Sequence, residues 1–202
     1  FSEDTTPLML AAQSGSAQAV RALVRLGCDV NAKSTWQETP LMYAARGNSP
    51  DVVRVLLKAG ADVRAKNLLQ GETPLYIAAL RGSAEAVQVL LEDEGQANRQ
   101  KEGVDAALRI ATKTGHAELV GILLPHARRE SALHTLVGTL DVAIVKAALL
   151  HGVDAGEAFA LRTSQSIVSD EKHARLAPVT QLLSSVMAGD WETVAAMKDA
   201  KG

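Results

Sequence analysis

Glu38-Thr39-Pro40-Leu41-Met42-Tyr43-Ala44-Ala45 continues through Val52-Val53 and Leu56-Leu57 to Gly60-Ala61-Asp62-Val63, and the chain on either side repeats it. Thr6-Pro7-Leu8 opens the same pattern 33 residues earlier, and Thr73-Pro74-Leu75 opens it again 34 residues later. Each opening is followed by paired alanines, Ala11-Ala12, Ala44-Ala45 and Ala78-Ala79. The close recurs too, as Gly27-Cys28-Asp29-Val30-Asn31. A fixed period of this size marks an array of small units, each a piece of supersecondary structure, rather than one large core.

The residue types explain the unit. Thr39 is placed as a helix N-cap, where its hydroxyl can accept a bond from a first-turn N–H. Pro40 then stands at the first helical position, where its missing donor costs nothing. Leu41, Ala44 and Ala45 share a face, and the small alanines let a second helix approach closely. A further helix begins near Asp51, with Val52, Val53, Leu56 and Leu57 as its apolar stripe, and Gly60 ends it in a left-handed conformation. From Asp62 to Glu72 the chain is short, polar and extended, as a hairpin between helix pairs would be.

The Thr-Pro-Leu start, the period and the Gly-x-Asp close resemble the ankyrin repeat family. The resemblance implies an all-α solenoid of stacked helix pairs with short hairpin loops. No single pair buries its own apolar face, so neighbours supply the core.

Composition agrees and excludes some functions. The 202 residues are 47% hydrophobic and only 3% aromatic, which suits helices packed through Ala, Leu and Val. Residues 1–100 carry 10 basic and 11 acidic residues, and residues 101–202 carry 11 and 12, so neither half offers a nucleic-acid surface. No apolar run reaches the roughly 18–20 residues of a membrane span. Cys28 is the one cysteine, which rules out an internal disulfide and fits a reducing, cytoplasmic setting. No signal peptide is visible, and a chain opening at Phe1 close to a repeat start reads as a processed form or an excised domain. Either the first repeat, with Gln13, Ser14, Ser16 and Gln18, caps the array itself or a preceding cap is missing.

Four repeats are expected over residues 1–127. The third loses its Gly-x-Asp close in Leu90-Leu91-Glu92-Asp93-Glu94-Gly95-Gln96-Ala97-Asn98. The fourth begins at Ala106-Ala107-Leu108 without Thr or Pro, continues through Gly115-His116-Ala117-Glu118-Leu119-Val120, and stops at Pro125. Residues 128–202 read as degenerate ankyrin-like helical repeats in the same solenoid, or as a different helical hairpin array. Ser131-Ala132-Leu133-His134 resembles a start and Ile144-Val145 a second-helix stripe. A loop is inserted near 163–173, followed by helical segments over 175–188 and 190–200.

Residues for catalysis are not in evidence. There is no Gly-rich phosphate loop, no histidine pair at metal spacing and no cysteine pair, so no cofactor or metal is expected. His116, His126, His151 and His173 each fall at a turn or helix end, and His134 stands where the resemblance implies a histidine after Thr-Pro-Leu. Cys28 replaces the alanine of Gly-Ala-Asp and reads as a small packed residue. Asn31 sits in a context that resembles hydroxylated ankyrin asparagines; the plainer reading is that it holds the hairpin.

The resemblance implies a protein-protein interaction module, not an enzyme, that binds a protein on the face made by hairpin tips and first helices as an adaptor, scaffold or inhibitor. Alternatives are a regulatory or structural domain working in cis in a larger protein, or a secreted bacterial effector. Carried over position by position, that face comprises Lys33, Trp36, Glu38, Arg46, Lys66 and Leu68 and, further on, Leu69, Glu72, Leu80, Arg81 and Lys113. Large apolar groups at loop tips are candidate anchors, though Trp36 and Leu68 could instead fold back onto the neighbouring hairpin. The cations imply a partner with an acidic surface, and the chain alone is expected to be monomeric. If Leu56 lies in the core, Leu56→Ala costs ~2–5 kcal/mol in urea unfolding through the cavity it leaves; a loss under ~1 kcal/mol would place it at the surface.

Overall fold

The computed structural model describes residues 5–97, 101–128, 131–132, 144–145, 148–149 and 181. The loop expected near 163–173, the helices expected over 175–188 and 190–200, and the repeat close at Leu149-Leu150-His151-Gly152 lie wholly or largely outside the described residues. The chain divides into two compact units, Phe1–Ala107 and Leu108–Gly202.

In the first unit, helices alternate in pairs: α1 (Pro7–Gln13) with α2 (Ala17–Arg25), α3 (Pro40–Arg46) with α4 (Pro50–Lys58), and α5 (Pro74–Leu80) with α6 (Ala84–Ala97). First helices pack on first helices, α1 on α3 and α3 on α5, while second helices pack α2 on α4 and α4 on α6. Leu41, Ala44, Ala45, Leu75, Ala78 and Ala79 fill the first row, and Val52, Val53, Leu56, Val87 and Leu90 the second; all are essentially inaccessible. Leu8, Met9 and Ala12 of α1 are equally buried. No strand occurs among the described residues; the hairpins are built of turns.

The recurring end residues each have a local job. Gly27 and Gly60 adopt φ of +82° and +87°. The second and third residues after each helix then turn their N–H groups back into its last turn. Gly60 N–H donates to the Leu57 carbonyl at 2.9 Å and Ala61 N–H to that of Leu56 at 3.0 Å. Gly27 and Cys28 do the same to Val24 and Leu23, at 3.0 and 3.1 Å. The aspartates that follow hold the next turn, since the Asp29 and Asp62 carboxylates accept the N–H of Asn31 and Arg64, each at 2.9 Å. Asn31 then ties one repeat to the next, donating to the Gly60 carbonyl at 3.0 Å and accepting from Asp62 N–H at 2.8 Å.

Two expectations need correction here. Thr6 and Thr73 cap their helices, accepting from Met9 N–H at 3.3 Å and Tyr76 N–H at 3.2 Å. Thr39 sits at the same position, but its hydroxyl makes no cap bond and is buried without a partner. Met42 N–H bonds the Thr39 backbone carbonyl instead, at 3.0 Å. The second correction concerns repeat four. Without a Gly-x-Asp close, α6 runs 14 residues where α2 and α4 run nine. The next helix, α7 (Lys101–Thr114), starts five residues before Ala106. Helix covers residues 93–97 and 101–105, which stand where the second repeat has its close and part of its hairpin.

Within the second unit, Leu108 and Ala111 of α7 and Leu119, Val120 and Leu123 of α8 (Ala117–Leu123) are buried. Pro125 ends this stretch in a single 3-10 turn, Leu124–His126. Ile144 and Val145 are helical and fully buried.

The unpaired Thr39 hydroxyl makes a distinguishing prediction. Thr73→Val should cost about 0.5–2 kcal/mol by removing a cap bond. Thr39→Val keeps the shape and removes an unsatisfied group, so its urea midpoint should equal or exceed that of the parent. Equal losses in the two variants would show that Thr39 caps its helix in solution.

Candidate interaction surface

Two hairpin tips project from the first unit, and side chains close each of them. In the first, Ser34 N–H donates to the Glu38 carbonyl at 3.0 Å, and the Ser34 hydroxyl accepts from Glu38 N–H at 3.1 Å. In the second, Asn67 N–H donates to the Glu72 carbonyl at 3.1 Å, and the Asn67 side-chain oxygen accepts from Glu72 N–H at 2.9 Å. Ser34 and Asn67 do the same work across four and five residues, so the extra residue of the 34-residue spacing lies in the second tip. Gln37 and Gly71, each one residue before the closing glutamate, both take positive φ, +56° and +67°. A direct bond links the tips, from Leu68 N–H to the Trp36 carbonyl at 2.9 Å.

These backbones are fixed while the side chains they carry stay open. Trp36, Leu68 and Leu69 are 55%, 60% and 54% exposed. Of the two readings for Trp36 and Leu68, packing onto the array or presentation to solvent, the structure takes presentation. Lys33 and Lys66 stand exposed at the bases of the same tips. Arg81, after the last turn of α5, is exposed, and Leu80 is at the margin of exposure. Lys113, on α7, is exposed in the second unit.

Glu38 departs from its expected place on that face. It is 6% exposed and forms a hydrogen-bonded ion pair with Arg46, which ends α3. Arg46 also lies over the Tyr43 ring, 5.4 Å from its centroid. Neither partner is at liberty: Glu38 positions Arg46, and Arg46 presents only part of its guanidinium. In the next repeat Leu80 replaces the arginine, and Glu72 accepts from the Asn67 side-chain amide at 2.9 Å instead. Sequence reasoning missed Tyr43, Ser34 and Asn67. The (i, i+3) spacing of Tyr43 and Arg46 on one helix was the available signal for the first. A small polar residue four or five positions before each Glu-Thr-Pro was the signal for the other two.

Among the described residues no group of three or more metal-binding side chains gathers, and no helix is long and apolar enough to cross a membrane. Paired helices joined by tight turns, stacked in register and separated by projecting hairpins, define a solenoid repeat protein. The family model for ankyrin repeats matches residues 2–67 and 64–132, with three copies, and the chain belongs to the ankyrin repeat family. A search of curated proteins returns no match. Ankyrin repeats are, as a class, protein-protein interaction modules and are typically non-catalytic.

The Glu38–Arg46 pair predicts coupling. Arg46→Leu leaves a buried carboxylate without its cation and should cost about 1.5–3 kcal/mol. Glu38→Gln combined with Arg46→Leu should recover part of that loss, giving a coupling energy of about 1 kcal/mol or more in a double-mutant cycle of urea unfolding. Additive losses would mean the pair contributes nothing.

Proposed function

We propose that this protein works as an adaptor, scaffold or inhibitor that holds a protein partner along its hairpin tips and first-helix ends, with no catalytic step of its own and in the cytoplasm. The observation that carries the reading is the pairing of fixed backbone with exposed apolar side chains. Trp36, Leu68 and Leu69 are presented on loops closed by Ser34, Asn67 and the tip-to-tip bond. Large apolar groups carried on a backbone that is already ordered lose less freedom on docking, so more of their burial appears as affinity. Trp at the centre of a contact is among the residue types whose truncation costs most.

The exposed cations carried over to the same face, Lys33, Lys66 and Arg81, support a partner whose rim is acidic. Charge at the rim acts mainly on the rate of encounter and its salt dependence. Arg46, Leu80 and Glu72 shape the floor of the same face, and Glu38 contributes by holding Arg46.

The test is affinity capture from a lysate of the source cells, with the purified chain beside a Trp36→Ala, Leu68→Ala, Leu69→Ala variant. The expected result is a protein retained by the parent and weakened at least about tenfold with the variant. The variant should lose less than about 1.5 kcal/mol of stability per site, because these side chains leave the core intact. Equal recovery with both chains would overturn the placement of the site.

A further inference from the structure

We propose a second docking surface on the other row of helices: the groove between α2 and α4 takes an acidic segment of a partner protein that also carries leucine-like apolar side chains. The groove encloses about 510 Å³, and none of its lining residues belongs to a hairpin tip or a first helix. It is separate from the surface assigned above and does not depend on it.

Charge is the first argument. Arg21 and Arg25 line one wall, from α2, and Arg54 and Lys58 the other, from α4. The only acidic side chain lining it is Asp51, which reaches Arg54 at 3.3 Å across an exposed (i, i+3) contact. A chain with a net charge of −2 therefore gathers four cations against one acid in a single groove. The arrangement is in register: Arg21 and Arg54 are 33 residues apart, as are Arg25 and Lys58. Arg21 and Arg25 on α2, and Arg54 and Lys58 on α4, also stand at (i, i+4), where like charges oppose helix formation. An anionic occupant would reverse that repulsion.

The floor supplies the second argument. Val24, Val55 and Ala59 line the groove between the cations and are each part-exposed. A purely polyanionic ligand has no use for an apolar floor, whereas a peptide with alternate acidic and apolar side chains can satisfy both walls and floor at once. The ladder also stops. On α6 the positions one repeat beyond Arg54 and Lys58 are Gln88 and Glu92. The cationic groove is thus two repeats long, suited to a short segment and not to an extended nucleic-acid backbone.

The test is fluorescence anisotropy with the full chain and a labelled peptide of about 15 residues built from Glu-Glu-Leu triplets. The expected result is saturable binding that weakens several-fold as salt rises from about 50 to about 200 mM. Arg25→Glu with Arg54→Glu should reduce it at least about tenfold, and the milder Arg25→Gln, Arg54→Gln pair, kept in case the first misfolds, by about threefold or more. Trp36→Ala, Leu68→Ala, Leu69→Ala should leave peptide binding unchanged, which separates this groove from the tips. Equal affinity for an all-Glu peptide would overturn the proposal, as would indifference to the charge changes. Preference for duplex DNA, or for phosphatidylserine vesicles, over the peptide would overturn it as well.

Discussion

A helix pair of this size cannot remove its own apolar face from water, and that constraint governs the rest of the molecule. What satisfies it is the close approach of first helices to one another. Ala44, Ala45, Ala78 and Ala79 are fully buried at that contact. Gly47 shows how little room remains, since a Cβ there would lie 2.9 Å from the Gln13 carbonyl of the preceding repeat. Once the helices stack at that spacing, successive hairpins are brought side by side. The Asn31 bridge to Gly60 and Asp62 and the Leu68-to-Trp36 bond follow from it.

The first two repeats, and the start of the third, were legible because period and residue type agree there at every level. Thr-Pro marks a start, paired alanines mark a contact, and Gly-x-Asp marks a close whose hydrogen bonds the structure shows one by one. Reading failed where a rule was applied to one copy without its neighbours. Thr39 has the right type and place to cap α3, yet burial in the middle of the stack leaves its hydroxyl without a partner. The start of repeat four is not legible, because a template that searches for Thr-Pro-Leu does not register a helix that begins at Lys101. The chain from Glu92 toward Ala97 simply stays helical once no glycine in left-handed conformation stops it.

The candidate surface was legible to a different degree. That Trp36, Leu68 and Leu69 lie at tips follows from spacing alone, and the structure finds all three more than half exposed. Glu38 could not be told from its neighbours by position, because its burial depends on Arg46 folding back from the far end of α3. The loop closures by Ser34 and Asn67 depend on backbone geometry that residue types only hint at. They use backbone polar groups of the loop internally and leave Trp36, Leu68 and Leu69 exposed. An apolar side chain on a fixed loop offers a partner contact area at small entropic cost.

The central claim is that partners meet this protein at the hairpin tips and not on the α6 face. The most direct measurement places a photo-crosslinking amino acid at Leu69 in one version of the chain and at Gln88, exposed on α6, in another. Each is then irradiated with the captured partner. The account predicts a covalent adduct from position 69 and none from position 88. An adduct from position 88 with none from position 69 would contradict it.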